Sequence, residues 1–296
     1  MKFNLKTTLN SSIKSSILIL KLIIPLYILS DLLLYLGWLD YISFIFKPVT
    51  GLIDLPPEAA LALAAGVFLN IYAALAFAAP LGLSPYEWTI IGLFLGVCHS
   101  MIIESAIMKK LGISYTYSFL LRGLMAFVAV LPIYFMPKSW FKESIVLQEG
   151  VKKSYETIYD MLFNSVIGAF ELSFKVILLI TFIIILMDFI KSTKIIQSYQ
   201  QKVSTSFSIV AGLILGITYG AGVLINEAKS GNLSKKDILF IATFLMICHS
   251  IIEDTLLFVI FGANYWVLIG VRVILAIIVS FFILKIANKF TLPQNI

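Results

Sequence analysis

Charged residues are scarce in this sequence: Asp, Glu, Lys and Arg make up 13% of its 296 positions, against about 25% in soluble globular proteins. Apolar residues make up 60%, and the mean hydropathy is +1.01. Several apolar windows approach the 20 residues that a membrane-crossing helix needs. This balance excludes a soluble domain and predicts an all-α, polytopic integral membrane protein whose surroundings are the lipid bilayer.

Several functional motifs are also absent. The sequence contains no HExxH motif, no Walker-type glycine-rich loop and no basic aromatic module. We therefore predict that the protein is not an enzyme, uses no nucleotide cofactor and binds no nucleic acid, although its net charge is +6. The first apolar stretch runs past Leu36 without a small-residue cleavage site, which predicts a retained first span.

Apolar windows separated by breakers predict about eight transmembrane helices, four in each half of the chain. Their predicted ranges are 13–36, 57–80, 84–108, 115–137, 173–190, 204–226, 235–261 and 265–287. The charged segment 138–156 is the predicted linker between a first membrane repeat, 1–137, and a second, 157–296. Residues 157–172 are either an interfacial helix or an extra partial span.

The distribution of Lys and Arg among the loops predicts the orientation of the chain. More of them lie in loops on the side of the N-terminus, so we expect a cytoplasmic N-terminus in a prokaryotic cytoplasmic membrane. Four spans per half would make the two repeats parallel. The charge bias of equivalent loops is reversed between the halves, however, which favours inverted repeats. Both arrangements stay open at this point.

The two histidines and the two cysteines of the sequence lie in two copies of one tripeptide, Cys98-His99-Ser100 and Cys248-His249-Ser250. The copies are 150 positions apart, and the same offset relates an acidic residue, a glycine and an arginine in each half: Glu104 and Asp254, Gly112 and Gly262, Arg122 and Arg272. Both copies follow a helix start of the same type, Ser84 with Glu87 and Ser234 with Asp237. This register predicts an internal duplication.

The histidines are the strongest candidates for a functional site. Counted from Trp88, His99 lies about 16 Å into its helix, near the middle of the hydrocarbon layer, where an unpartnered polar group is costly. On a regular helix Glu253 shares a face with His249, whereas Glu104 and Asp254 point about 140° away from their histidines. We therefore predict that His99, His249 and Glu253 bind a metal or substrate. In the alternative, each histidine only bonds to a neighbouring helix and stabilises packing.

A second group of residues is predicted to support this site. Glu104 and Arg122 flank the turn at Gly112 at similar distances, as Asp254 and Arg272 flank Gly262, so each pair is expected to form a buried ion pair. In the alternative, these carboxylates bind substrate or transfer protons. Ser100 and Ser250 suit interhelical hydrogen bonds. Four further residues are candidates to line a pathway: Asn70, Tyr72, Gly216 and Thr218.

One stretch of the sequence resembles a known membrane domain. Pro48-x-x-Gly51 is followed by Leu55-Pro56-Pro57-Glu58-Ala59-Ala60, by a small-residue span ending near Pro80 and by the helix of His99-Ser100. This order resembles the Gate, or nucleoside-recognition, domain, which is similar in Feo-type ferrous-iron permeases, spore maturation membrane proteins and concentrative nucleoside transporters. The resemblance covers 45–135 and, more loosely, 204–284. It implies a two-repeat membrane permease.

These observations predict a transporter or permease with a central site between the two repeats. A divalent transition-metal ion such as Fe, Zn or Mn is the predicted substrate, because imidazole and carboxylate are its usual ligands. One alternative is a carrier for a small organic solute such as a nucleoside. Another is a non-transporting scaffold subunit in which the motif only joins the two halves. A homo-oligomer is compatible with all three.

Overall fold

A computed structural model describes residues 4–141, 155–193 and 233–289, together with Ile209, Gly212, Leu213 and Ile225. The regular structure of these residues is helical, which confirms the all-α prediction. Six segments of the described chain are long and apolar enough to cross a membrane: Leu5–Tyr35, Pro85–Lys110, Tyr115–Phe135, Ile158–Ile190, Lys235–Val259 and Tyr265–Lys289. The predicted span 204–226 lies outside the described residues, apart from four single positions.

Two of the six spans are interrupted. In chain order the helices are α1 (Leu5–Tyr35), α2 (Trp38–Gly51), α3 (Ala60–Phe68), α4 (Ile71–Ala78), α5 (Pro85–Cys98), α6 (Met101–Lys110), α7 (Tyr115–Val130), α8 (Ile158–Ser192), α9 (Lys235–Ile247), α10 (Ile251–Val259) and α11 (Tyr265–Lys289). The pairs α5–α6 and α9–α10 each form one broken span. Capping boxes at Ser84 and Ser234 begin α5 and α9, as predicted.

Contacts at the helix ends show which ends share a side of the membrane. We call the side at which α5 begins side A and the side at which α6 ends side B. The turn between α10 and α11 lies at side A, because the Asn264 N–H donates to Thr89 Oγ1 (2.9 Å) and Phe261 stacks on Trp88 with ring centroids 4.2 Å apart. The broken span α9–α10 therefore runs from side B to side A, opposite to α5–α6. Inverted repeats require this arrangement, although the repeat organisation itself stays a prediction.

Helices α1 and α8 pack side by side in opposite directions. At side A, Ser165 Oγ donates to the Asp31 carboxylate (2.6 Å), and near side B, Thr8 Oγ1 donates to Asp188 (2.8 Å). Helix α8 is continuous over 35 residues. The prediction of a span at 173–190 preceded by a separate element at 157–172 was therefore wrong. The segment 157–172 is the first half of α8, and its polar Ser165 faces a partner on α1 instead of water.

The predicted span 57–80 does not cross the membrane. Helices α3 and α4 pack along each other, and Glu58 before α3 lines the same side-A cavity as Pro80 after α4. Between them the chain turns at Leu69 and Asn70, where Asn70 Oδ1 accepts the Ala73 N–H (3.0 Å) and begins α4. The segment is a re-entrant hairpin, a type of non-helical turn that occurs at membrane depth where the backbone is bonded to protein or lines a cavity.

The tip of this re-entrant hairpin contacts the break between α5 and α6. The Ser100 N–H donates to Gly66 O and Ser100 Oγ donates to Leu69 O, both at 3.0 Å. A Cβ at Gly66 would lie 2.6 Å from a methyl carbon of Leu95, so glycine permits this close approach. The hairpin turn and the start of α4 therefore lie beside this break, near the centre of the membrane.

Gly96 gives a direct test of the packing between α5 and α11. A Cβ at this position would lie 3.0 Å from Cζ and Nε of Arg272. We expect Gly96→Ala to lower the free energy of unfolding by about 1–3 kcal/mol, the usual cost of overpacking, since Arg272 is fixed by other bonds. Gly270→Ala on α11 is the matched control, because nothing lies within 4 Å of its added Cβ. Equal thermal stability of the two variants in detergent would contradict this packing.

Candidate functional site

The serines of both Cys-His-Ser tripeptides have the same backbone conformation where their helices are interrupted. Ser100 has φ 47° and ψ 36°, and Ser250 has φ 46° and ψ 36°. This left-handed conformation is uncommon outside glycine, and it changes the direction of the chain after each histidine. The 140° separation that a regular helix predicts between His99 and Glu104 therefore does not apply. Instead, the break brings the Glu104 side chain back toward the histidine.

The two arginines stabilise these breaks from the neighbouring helices. Arg122 of α7 donates from Nε to Val97 O (2.9 Å) and from Nη2 to His99 O (2.6 Å), and Nη2 lies 2.8 Å from Glu104 Oε2. These carbonyls belong to the interrupted end of α5, where a cation is favoured. Arg122 is fully buried, so a single side chain donates to two carbonyls and pairs with a carboxylate away from water. The predicted pairing of Glu104 with Arg122 is confirmed.

Arg272 of α11 repeats part of this arrangement at the second break, through Nη2 alone. Its Nη2 donates to His249 O (2.7 Å) and to Asp254 Oδ2 (3.1 Å). The predicted pairing of Asp254 with Arg272 is therefore also confirmed. The two breaks differ in the reach of the carboxylate: Asp254 pairs with Arg272, whereas the longer Glu104 pairs with Arg122 and also reaches a histidine.

Glu104 contacts both histidines. Its Oε1 lies 3.0 Å from His99 Nε2, and its Oε2 lies 3.2 Å from His249 Nε2. The ring centroids of the two histidines are 5.2 Å apart, and His99, Glu104 and His249 are 8%, 6% and 1% exposed. One ligand atom from each of the three lies within 4.8 Å of the others. The expected convergence of the two histidines is confirmed, but the carboxylate between them is Glu104 and not Glu253.

The hydrogen bonds of the imidazoles decide what the site can hold. His99 Nδ1 lies 2.8 Å from Leu95 O, and His249 Nδ1 lies 2.7 Å from Leu245 O. A carbonyl oxygen only accepts, so each Nδ1 carries the proton and each neutral ring directs its Nε2 lone pair at Glu104. Two lone pairs facing a carboxylate repel it unless positive charge lies between them. The geometry is therefore that of a cation site, or of a doubly protonated cluster.

The other predicted residues that the structure describes lie around this His99–Glu104–His249 cluster. Glu253 accepts a hydrogen bond from Tyr72 OH (3.0 Å), which links α10 to α4 of the re-entrant hairpin. The Asn70 side chain caps α4, where its Oδ1 accepts the Ala73 N–H. The Ser250 N–H lies 3.5 Å from Gly212 O, in the place that corresponds to Ser100 and Gly66. Gly216 and Thr218 lie outside the described residues.

A cavity at side A was not predicted from the sequence. Its volume is about 450 Å³, and its lining includes the carboxylates of Asp31, Glu58 and Glu87 and the hydroxyl of Tyr155. Tyr155 OH donates to Asp31 (3.2 Å), and burial together with this carboxylate raises the pKa of the Tyr155 hydroxyl. The carboxylates lie far apart in sequence on different elements. No local pattern could therefore have grouped them.

Comparison with known proteins places the chain in a family. No protein-family profile and no solved structure matches it. It is 31% identical over 275 residues to a protein of Bacillus subtilis (strain 168) named "Uncharacterized membrane protein YvoD". The alignment covers 88% of this chain and 87% of that protein. Together with the six apolar helices, this similarity shows that the chain is a membrane protein that belongs to the YvoD family.

Proposed function

We propose that this protein is a membrane permease for a divalent transition-metal ion, which binds at mid-membrane to His99, Glu104 and His249. The observation that carries the proposal is that these three buried side chains bring one ligand atom each to within 4.8 Å of the others. A tetrahedral ion with ligand bonds of about 2.1 Å has its ligand atoms about 3.4 Å apart. The two contacts of Glu104 with the imidazoles, 3.0 and 3.2 Å, are close to that spacing.

The surroundings of the cluster also suit a metal ion. Metal-binding histidines usually donate their other ring N–H to a carbonyl or carboxylate, which fixes the tautomer and the ring orientation. Leu95 O and Leu245 O accept these protons here. Imidazole and carboxylate together favour Fe, Zn or Mn over Mg and Ca, which prefer oxygen ligands alone.

Transport is supported by the interrupted helices. In many transporters, discontinuous helices end near the bilayer midplane and form the substrate site there. Here α5 and α9 end at the cluster, α6 and α10 begin there, and the turn of the re-entrant hairpin reaches Ser100. We include the Gate-type organisation in this proposal. The re-entrant hairpin begins at 56–60, the Pro-rich part of the stretch that resembles a Gate domain.

We also propose that side B is cytoplasmic. Helix ends at side B carry eight described lysines, namely Lys6, Lys14, Lys109, Lys110, Lys235, Lys236, Lys285 and Lys289. The cavity at side A is lined by carboxylates instead. Basic residues are concentrated on the cytoplasmic side of membrane proteins, so this distribution supports a cytoplasmic N-terminus of α1.

A carrier for a small organic solute is the second candidate. The observation that favours it is the side-A cavity, whose volume of about 450 Å³ suits a molecule of that size. Tyr35 and Tyr155 line the cavity beside the carboxylates and could bind such a molecule by stacking and hydrogen bonding. This candidate predicts that transport is indifferent to metal chelators.

Uptake of Mn²⁺ and Zn²⁺ into proteoliposomes tests the proposal. We expect the wild-type protein to carry both ions, and Glu104→Gln to reduce uptake more than about tenfold, because even residues that only support metal ligands contribute ten- to hundredfold. Glu171→Gln is the control, since Glu171 forms an exposed pair with Lys175. Uptake no greater than that of empty liposomes would contradict metal transport. Equal uptake by Glu104→Gln would contradict the site, with His249→Gln as a second variant if Glu104→Gln fails to fold.

A further inference from the structure

We propose that Glu253 is a fourth, exchangeable metal ligand, and that Tyr72 of the re-entrant hairpin holds it away from the site while the site is empty. This inference rests on the proposed metal function of the His99–Glu104–His249 cluster. It assigns a regulatory role to the hydrogen bond between Tyr72 OH and Glu253 Oε1, which measures 3.0 Å.

The charges around the cluster are the first argument. Three carboxylates belong to the two breaks, Glu104, Asp254 and Glu253, and two guanidinium groups are paired with the first two of them. Tyr72 is the hydrogen-bond partner of Glu253 among the described residues, and no described lysine or arginine pairs with it. With neutral histidines, the described residues therefore leave one negative charge of this group without a cation. Glu253 is partly buried, which makes a charge without a cation costly, and a bound metal ion would supply the missing charge.

The number of ligands is the second argument. The cluster offers three donor side chains, whereas zinc and related ions usually take at least four ligands. Glu253 lies in the first turn of α10, four residues after His249. It is the first acidic residue that follows His249 in the sequence. It does not belong to the group of ligand atoms within 4.8 Å of one another, so its side chain must rotate to reach the ion. That rotation breaks the bond with Tyr72.

The position of Tyr72 gives the exchange a structural consequence. Tyr72 lies in the first turn of α4, directly after the hairpin turn at Leu69 and Asn70. The same turn is held on its other side by Ser100 Oγ, which donates to Leu69 O. The hairpin tip is thus bonded to both interrupted spans. Metal binding would remove one of these two bonds, so occupancy of the site loosens the hairpin from α10.

Zn²⁺ binding to the purified full-length protein, measured by calorimetry, tests this exchange. We expect Tyr72→Phe to bind Zn²⁺ about tenfold more tightly, because the competing hydrogen bond to a charged group is gone. Glu253→Gln should bind about tenfold more weakly. The double variant should match Glu253→Gln, since Tyr72 acts only through that carboxylate. Tyr117→Phe is the matched control, because its hydroxyl joins α7 to α9 through Thr243 (2.8 Å).

The outcomes separate this inference from the proposed function. If Tyr72→Phe binds Zn²⁺ like Tyr117→Phe, or if the effects of Tyr72→Phe and Glu253→Gln simply add, the exchange is wrong even when the metal site is real. If His99→Ala leaves Zn²⁺ binding unchanged, the proposed function fails instead. X-ray absorption of the Zn²⁺-loaded wild type and Glu253→Gln provides an independent readout, because it reports the ligands and not the affinity. A first shell that is the same in wild type and Glu253→Gln would also overturn the fourth ligand.

Discussion

Replacing both His99 and His249 by alanine is expected to remove the bound metal from the purified protein. Two of the three ligands of the buried cluster are lost, and affinity should fall by more than about a hundredfold, beyond the effect of residues that only support a ligand. Elemental analysis of protein purified without added metal or chelator measures the effect. Binding should also weaken in acid, because a protonated imidazole cannot bind a metal.

The neighbouring thiols provide the matched control for this experiment. Cys98 and Cys248 are buried in the same two tripeptides, but neither belongs to the group of converging ligand atoms. We expect the Cys98→Ala, Cys248→Ala variant to keep its metal. Equal metal content in the histidine and cysteine variants would reject the ligand assignment, and absence of metal from the wild type after titration with Zn²⁺ and Mn²⁺ would favour the organic-solute candidate.

Removing the guanidinium group of Arg122 is expected to have the largest effect on stability. Arg122→Gln leaves the buried Glu104 carboxylate without its cation and the carbonyls of Val97 and His99 without their donor. Loss of one partner of a buried ion pair costs about 3–5 kcal/mol. Thermal unfolding in detergent measures the change. Lys175→Gln is the control, since its pair with Glu171 is exposed and such pairs contribute about 1 kcal/mol or less.

A double-mutant cycle separates the ion pair from the other bonds of Arg122. Glu104→Gln combined with Arg122→Gln should destabilise less than the sum of the two single changes, because the double variant leaves no unpaired charge. Additivity within about 0.5 kcal/mol would show that the two charges do not interact. The carbonyl bonds of Arg122 would then carry its whole effect.

The sequence predicted those parts of the site that depend on local geometry. Glu104 and Arg122 lie at similar distances from Gly112, which has φ 87° and forms the turn of their hairpin. A helix hairpin with a glycine turn brings residues equidistant from that turn to the same depth. The same reasoning paired Asp254 with Arg272 across Gly262. The 150-residue offset then correctly suggested that the two histidines meet.

The parts that were missed depend on contacts between segments distant in sequence. Neither break contains glycine or proline, so nothing local shows that Ser100 is left-handed. Its conformation is fixed by Gly66 O, which accepts its N–H, and by Arg122, which binds the carbonyl before it. Helical periodicity assumes an unbroken helix. It therefore predicted Glu253, and not Glu104, as the carboxylate that meets the histidines. Hydropathy likewise counted α3 and α4 as one crossing, because it measures apolar length and not direction.

The opposite directions of the two broken spans also determine how the membrane potential acts on the site. Helix α5 reaches the cluster from side A over 14 residues, and α9 reaches it from side B over 13, about 20 Å in each case. The cluster therefore lies midway through the field. Under the proposed function, a divalent ion moving from either surface to His99 and His249 would cross about half of the potential, which amounts to about 2.3 kcal/mol at 100 mV. With an interior-negative membrane and side B inside, both halves of the inward path run downhill electrically.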